Sequence, residues 1–187
     1  MIMRSIRRTS IVLAAVVVVT TNAQATFAAS ATDISQKAHR ALENLCKKEQ
    51  SAKLLRKEAR AILVFPGIYK AGFIVGGAGG DGALFKDDKA VAYYRSVAAS
   101  YGLQAGVQKF GYAMFFMKDS ALEYLDKSEG WEVGVGPSVV VVDAGVGKSL
   151  TTTTGRSDVY AFIFSQKGLM AGLGIQGSKI TKIHPDE

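Results

Sequence analysis

The chain has one cysteine, two histidines and three prolines among 187 residues, and no glycine before Gly67. A lone cysteine cannot close an intrachain disulfide, so the fold must hold without covalent staples. Two histidines and one thiol leave too few ligands for a His/Cys metal centre. Long apolar runs are scarce as well. The run Ile11-Val-Leu-Ala-Ala-Val-Val-Val-Val19 would rise about 14 Å as a helix, roughly half of a bilayer core. These shortages exclude a disulfide scaffold, a zinc enzyme and a polytopic membrane protein. The remainder, 48% hydrophobic and 21% charged, has the composition of one folded domain with a modest core.

What is present begins with an address. Arg4, Arg7 and Arg8 precede the apolar run, and Ala23-Gln24-Ala25 follows it. A charged start, a short apolar middle and a small-residue cleavage site are the three parts of a secretory signal peptide. The sequence therefore predicts a signal peptide over 1–25, a linker over 26–32, and a single domain over 33–187 that is periplasmic or otherwise exported after cleavage, with membrane association left open. Loss of the three arginines takes the formal charge from +7 to +4. That charge is uneven: residues 33–60 carry eight basic side chains against Asp33, Glu43, Glu49 and Glu58, whereas 61–187 balance.

The glycine-free front reads as two helices. Asp33 and Gln36 form a capping pair for the first, in which Ile34, Ala38, Ala41, Leu42 and Leu45 recur at helical spacing. Cys46 is expected as a half-buried helix residue. Ser51 is expected to cap the second helix, running through Ala61. Lys53, Arg56, Lys57 and Arg60 then share one stripe at i, i+3, i+4, i+7. Lys37, Arg40, Lys47 and Lys48 add cations from the first helix.

Beyond Pro66 the pattern changes to short β-rich runs at 62–65, 73–75, 83–85, 90–94, 103–108, 112–117, 139–142, 159–164 and 169–175. Ser120-Ala-Leu-Glu123 is a capping box for one intervening helix over 121–127. Evenly spaced glycines, such as Gly72/Gly76 and Gly102/Gly106, permit sharp coiling of a strand. The expected class is α+β: N-terminal helices packed on a strongly curved, glycine-rich antiparallel sheet or partly closed barrel.

Catalytic signatures fail on inspection. Gly77-Ala-Gly79-Gly-Asp-Gly82 fits G-x-G-x-x-G, but a dinucleotide fingerprint must open a helix, and strand and turn follow here. Gly147-Lys148-Ser149 lacks the glycine that a phosphate loop requires five positions earlier, where Val142 stands. No G-x-S-x-G occurs. His39 and His184 read as surface residues, and Asp87-Asp88 as a solvated turn. No enzyme, metal or cofactor is expected.

The order of three blocks resembles the SYLF lipid-binding domain family. Ala61-Ile-Leu-Val-Phe-Pro66 with Lys70-Ala-Gly-Phe73 and the cluster ending at Gly82 resembles its first block. Gly102-Leu-Gln-Ala-Gly-Val-Gln108 resembles the central one. Phe164-Ser-Gln-Lys-Gly-Leu-Met-Ala-Gly172, continuing to Gly177-Ser-Lys-Ile180, resembles the closing one, so the resemblance spans Ala52 to Ile183. It implies membrane-lipid binding, through phosphoinositides in eukaryotic members, and actin association in some fungal ones. An export signal on a single domain suggests a bacterial member, for which anionic phospholipids in general are the implied partner.

The expected function is non-enzymatic, peripheral binding of anionic phospholipid from the periplasmic side. The expected site is the basic face of Lys53, Arg56, Lys57 and Arg60, with Lys37, Arg40, Lys47 and Lys48. The rivals are a periplasmic scaffold for an acidic protein or polymer and a small outer-membrane barrel, the latter short of the strand length of about 9–11 residues that spanning requires. Nucleic acid is not an expected partner, because no aromatics interleave the basic residues. The processing expectation is checked by intact mass of the protein isolated from cells: cleavage near Ala25 is expected, and a mature pool beginning at Met1 would contradict it.

Overall fold

The computed structural model describes residues 29–127, 131–132, 136–142, 157–168 and 178–186. The expected signal peptide, most of the expected linker and the expected strand over 169–175 lie outside the described residues.

Helix α1 (Ala31–Lys48) is capped by Ser30, whose Oγ accepts the Asp33 N–H at 3.2 Å. Asp33 is therefore not the cap. It sits in the first turn, where a carboxylate favours the helix N-terminus, and it holds Lys37 at 2.9 Å. Ile34, Ala38, Leu42 and Leu45 bury one face, as their spacing requires. Helix α2 (Gln50–Glu58) is shorter than the sequence predicts, and Ser51 is buried in its first turn instead of capping it. The helix stops because Ala59 is extended and the Arg60 N–H already donates to the Phe116 carbonyl at 2.8 Å. Sheet pairing thus takes Arg60 and Ile62 away from the helix.

Strands β1 (Ala61–Lys86) and β2 (Lys89–Phe116) form one long antiparallel hairpin. Its turn is Asp87-Asp88, both at positive φ (48° and 60°), the backbone that a two-residue type I′ hairpin turn demands. The six runs expected before residue 117 are segments of these two strands. Glycines that look like turn-formers stay inside them. Gly72 pairs with Gly106 across the strands, and the register shifts between Phe73 and Val75. A second shift brackets Pro66 and Gly67, consistent with a proline that has no N–H for the ladder. The G-x-G-x-x-G run lies wholly within β1, and no helix starts there.

The hairpin folds back on itself. A Cβ placed on Gly80 would lie 2.5 Å from the Gly67 carbonyl oxygen, and one on Gly82 would lie 2.5 Å from that of Val64 and 2.6 Å from Phe65 Cδ1. The second half of β1 therefore crosses its first half with backbone against backbone.

Helix α3 (Asp119–Lys127) follows, then β3 (Trp131–Glu132), β4 (Val139–Val142), β5 (Val159–Gly168) and β6 (Ser178–Ile183). Among the described residues the sheet order is β3-β6-β2-β5-β4 with β1 also on β2, and the sheet is open. Central β2 pairs with β5 through one half and with β6 through the other. All described pairs are antiparallel except β4 with β5, a parallel exception to the expected sheet. Neither β3 nor β6 was expected from the sequence.

Both sheet faces are buried. Leu63, Phe65, Tyr112, Met114 and Phe116 meet Leu122 and Leu125 of α3 on one side. Val64, Phe85, Phe115 and Phe162 meet Ile34, Leu42 and Leu45 of α1 on the other. Double burial explains why 61–65 and 112–116 read as unbroken apolar runs without alternation. Each such side chain contributes about 1.5–3 kcal/mol.

The crossing generates a direct expectation. Gly82→Ala should lower stability by about 1–3 kcal/mol through overpacking. Gly77→Ala, where the nearest atom is 3.9 Å away, should change the melting temperature little. Equal melting shifts for the two variants would contradict the close crossing.

Candidate functional site

The basic front divides into cations that serve the fold and cations left free. Arg56 donates to Asp88 at 2.6 Å and is only 25% exposed, so it ties α2 to the tip of the hairpin. Asp88 is correspondingly more than a solvated turn residue. Arg60 leaves α2 altogether and lies 3.8 Å from Asp119, at the start of α3. The expected four-cation stripe is therefore corrected. Lys53 and Lys57 remain on exposed turns of α2, while Arg56 and Arg60 pair with carboxylates of other elements. Lys37 is held by Asp33 within α1. Arg40, Lys47, Lys48, Lys53 and Lys57 are exposed and have no carboxylate partner among the described residues.

Cys46 packs half-buried beside Arg56, as the sequence predicts for its burial. Burial pushes its thiol pKa up, and hydrogen bonding to Arg56 offsets this only in part, so the thiol stays protonated near neutral pH. His39 stacks edge-on against Phe85 with ring centroids 5.9 Å apart, a packing role on the flank of α1. Among the described residues no group of three or more His, Cys, Asp and Glu could hold a metal ion. No described helix is long and apolar enough to cross a membrane.

A groove of about 710 Å³ opens between α1 and the folded hairpin. Lys37, Arg40 and Asn44 line it from the helix, Tyr69 and Lys109 from the sheet, and Phe164 from β5. Asp81 also borders it, but Arg95 takes both of its carboxylate oxygens at 2.7 and 3.0 Å. Lys109 Nζ lies 4.7 Å from the Tyr69 ring centroid. Sequence reasoning found Arg40 and Lys37 but missed Tyr69 and Lys109. The available signal was local: Tyr69 and Lys109 are polar-tipped residues in a strand pattern whose neighbours Ile68 and Phe110 are apolar.

The blocks that suggested a family come together at the bend of the hairpin. Lys70 of the first block pairs across the strands with Gln108, which ends the central block, just as Gly72 pairs with Gly106. Both polar side chains are buried, and Gln108 Oε1 has no hydrogen-bond partner among the described residues. The blocks thus mark one structural feature in two pieces of sequence.

No curated protein matches the chain. Residues 97–185 match a family model described as Ysc84, Las17-binding protein actin regulator, which covers the central and closing blocks. SYLF domains are lipid-binding domains, and the match supports lipid binding in general. Over residues 97–185 the chain is similar to the SYLF (Ysc84) family.

Proposed function

We propose that the protein is a non-enzymatic, peripheral binder of anionic phospholipid that acts from the periplasmic side after export. The carrying observation is the set of cations on α1 and α2 that no carboxylate neutralises: Arg40, Lys47, Lys48, Lys53 and Lys57. Lys47 and Lys48 stand in the last turn of α1, where the helix dipole favours them but leaves their charge outward. The rest of the domain is nearly balanced, so an approaching anionic surface is met by this front. Similarity to a lipid-binding family over residues 97–185 supports the same reading, and the arginine-rich start with its apolar run supports export.

The magnitude is instructive. At about 1 kcal/mol per cation near an anionic membrane, five give about 5 kcal/mol, a sub-millimolar affinity. Charge alone is too weak for stable attachment, so apolar contact must add to it. An acidic protein partner would use the same cations, but nothing on this front selects a particular polypeptide shape.

Co-sedimentation with vesicles tests the reading. The protein isolated from cells should pellet with anionic vesicles and not with zwitterionic ones, and its binding should fall steeply as salt shortens the Debye length. Reversing Lys47, Lys48, Lys53 and Lys57 to Glu should weaken binding at least tenfold with little change in thermal unfolding. Arg56 and Arg60 are poor choices for that variant because their ion pairs join elements of the fold. Equal pelleting with both vesicle types would overturn the proposal.

A further inference from the structure

The groove beside α1 combines three properties. Its volume of about 710 Å³ lies within the usual range for a small-molecule site, about 300–1,000 Å³. Its charge is positive after pairing is counted. Lys37 is neutralised by Asp33, and Asp81 by Arg95, whereas Arg40 and Lys109 have no carboxylate partner among the described residues. Its walls are apolar where the cations are not, with Ile34, Ala41, Pro66 and Phe164 around the floor.

The rim supplies the third property. Tyr69 and Val107 are 59% and 65% exposed, far beyond what a sheet side chain on a covered face shows. They share a face with Lys109, since Tyr69 pairs with Lys109 and Ala71 with Val107 across the hairpin. A tyrosine ring with an aliphatic neighbour suits the membrane interface, where an apolar body and a polar tip are both satisfied. Lys109 is held in place there. Its stem crosses Gly67, where a Cβ would come within 2.7 Å of Lys109 Cε, and its ammonium rests over the Tyr69 ring.

We propose that this groove is the headgroup site for a single anionic phospholipid. The phosphate sits between Arg40 and Lys109, and the glycerol and acyl chains leave over Tyr69, Ala71 and Val107 into the bilayer. The inference rests on the membrane-binding reading and deepens it: the free lysines of α1 and α2 attract the protein to the surface, and the groove selects one lipid. Two cations against the single negative charge of a phosphodiester leave the groove net positive, which repels a choline cation and suits a glycerol hydroxyl oxygen, so phosphatidylglycerol fits better than a choline lipid. Arg40 offers a planar fork to the phosphate and Lys109 a point charge.

The test separates the headgroup from free phosphate and the groove from the lysine front. Amide chemical shifts are followed as monodisperse dihexanoyl-phosphatidylglycerol, dihexanoyl-phosphatidylcholine or inorganic phosphate is added to the protein isolated from cells. The glycerol lipid should give saturable shifts at α1 and at residues 67–71 and 107–109, with the choline lipid and phosphate at least tenfold weaker. Arg40→Glu with Lys109→Glu should weaken the glycerol lipid at least tenfold, and Arg40→Gln with Lys109→Gln should do so in a variant whose melting is unchanged. Lys127→Glu with Lys179→Glu, exposed and away from the groove, should leave it unaltered. Wild-type pelleting with anionic vesicles but no saturable soluble-lipid binding would overturn the groove and spare the membrane reading. Phosphate binding as tight as the lipid would overturn the lipid assignment. No binding to anionic vesicles would overturn both.

Discussion

Gly80 and Gly82 pass over the backbone of Gly67 and Val64 at a distance that no side chain tolerates, and most of the molecule depends on that crossing. It converts one long hairpin into a folded sheet with two buried faces. Without it, β1 and β2 would be an extended ribbon with too little apolar contact to be stable alone. The crossing also brings the Asp87-Asp88 tip back toward the helices, where Arg56 meets Asp88. On the α1 side the same fold-back leaves Tyr69, Gly80 and Asp81 facing one groove. Fold and candidate site therefore share one cause.

Charge on the helical front is divided between two tasks. Arg56 and Arg60 bridge separate elements, so their cations stabilise the way helices and sheet meet. Neither bridge is deeply buried, and exposed pairs of this type contribute about 0–1 kcal/mol each. Their value lies in fixing geometry. Lys47, Lys48, Lys53 and Lys57 make no such bridge among the described residues, so no ion pair between elements depends on them. A count of charges by sequence segment cannot make that distinction.

How much was legible in the sequence follows from where each signal resides. The face of α1 is written in the spacing of Ile34, Ala38, Leu42 and Leu45, because helical periodicity is local. The end of α2 was not legible, since Arg60 leaves the helix for a bond to Phe116, far away in sequence. Glycines at 72–82 mimic turns because strand bends and turns use the same residue for the same absent side chain. Their pairing partners on β2 decide between the two, and pairing is invisible in one strand's composition. The first and central family blocks lie far apart in sequence, and only the sheet register places Lys70 beside Gln108. Tyr69 and Lys109 were missed for the same reason: their shared face with α1 is a tertiary fact.

The central claim is that the bend of the folded hairpin, beside the α1 groove, faces the lipid. Fluorescence of a Tyr69→Trp variant on anionic vesicles carrying brominated acyl chains addresses it most directly. The account requires quenching beyond that of the wild-type protein, together with a blue shift that appears only when anionic lipid is present. Emission from that variant unchanged by the brominated chains, while the protein remains bound to the vesicles, would contradict it.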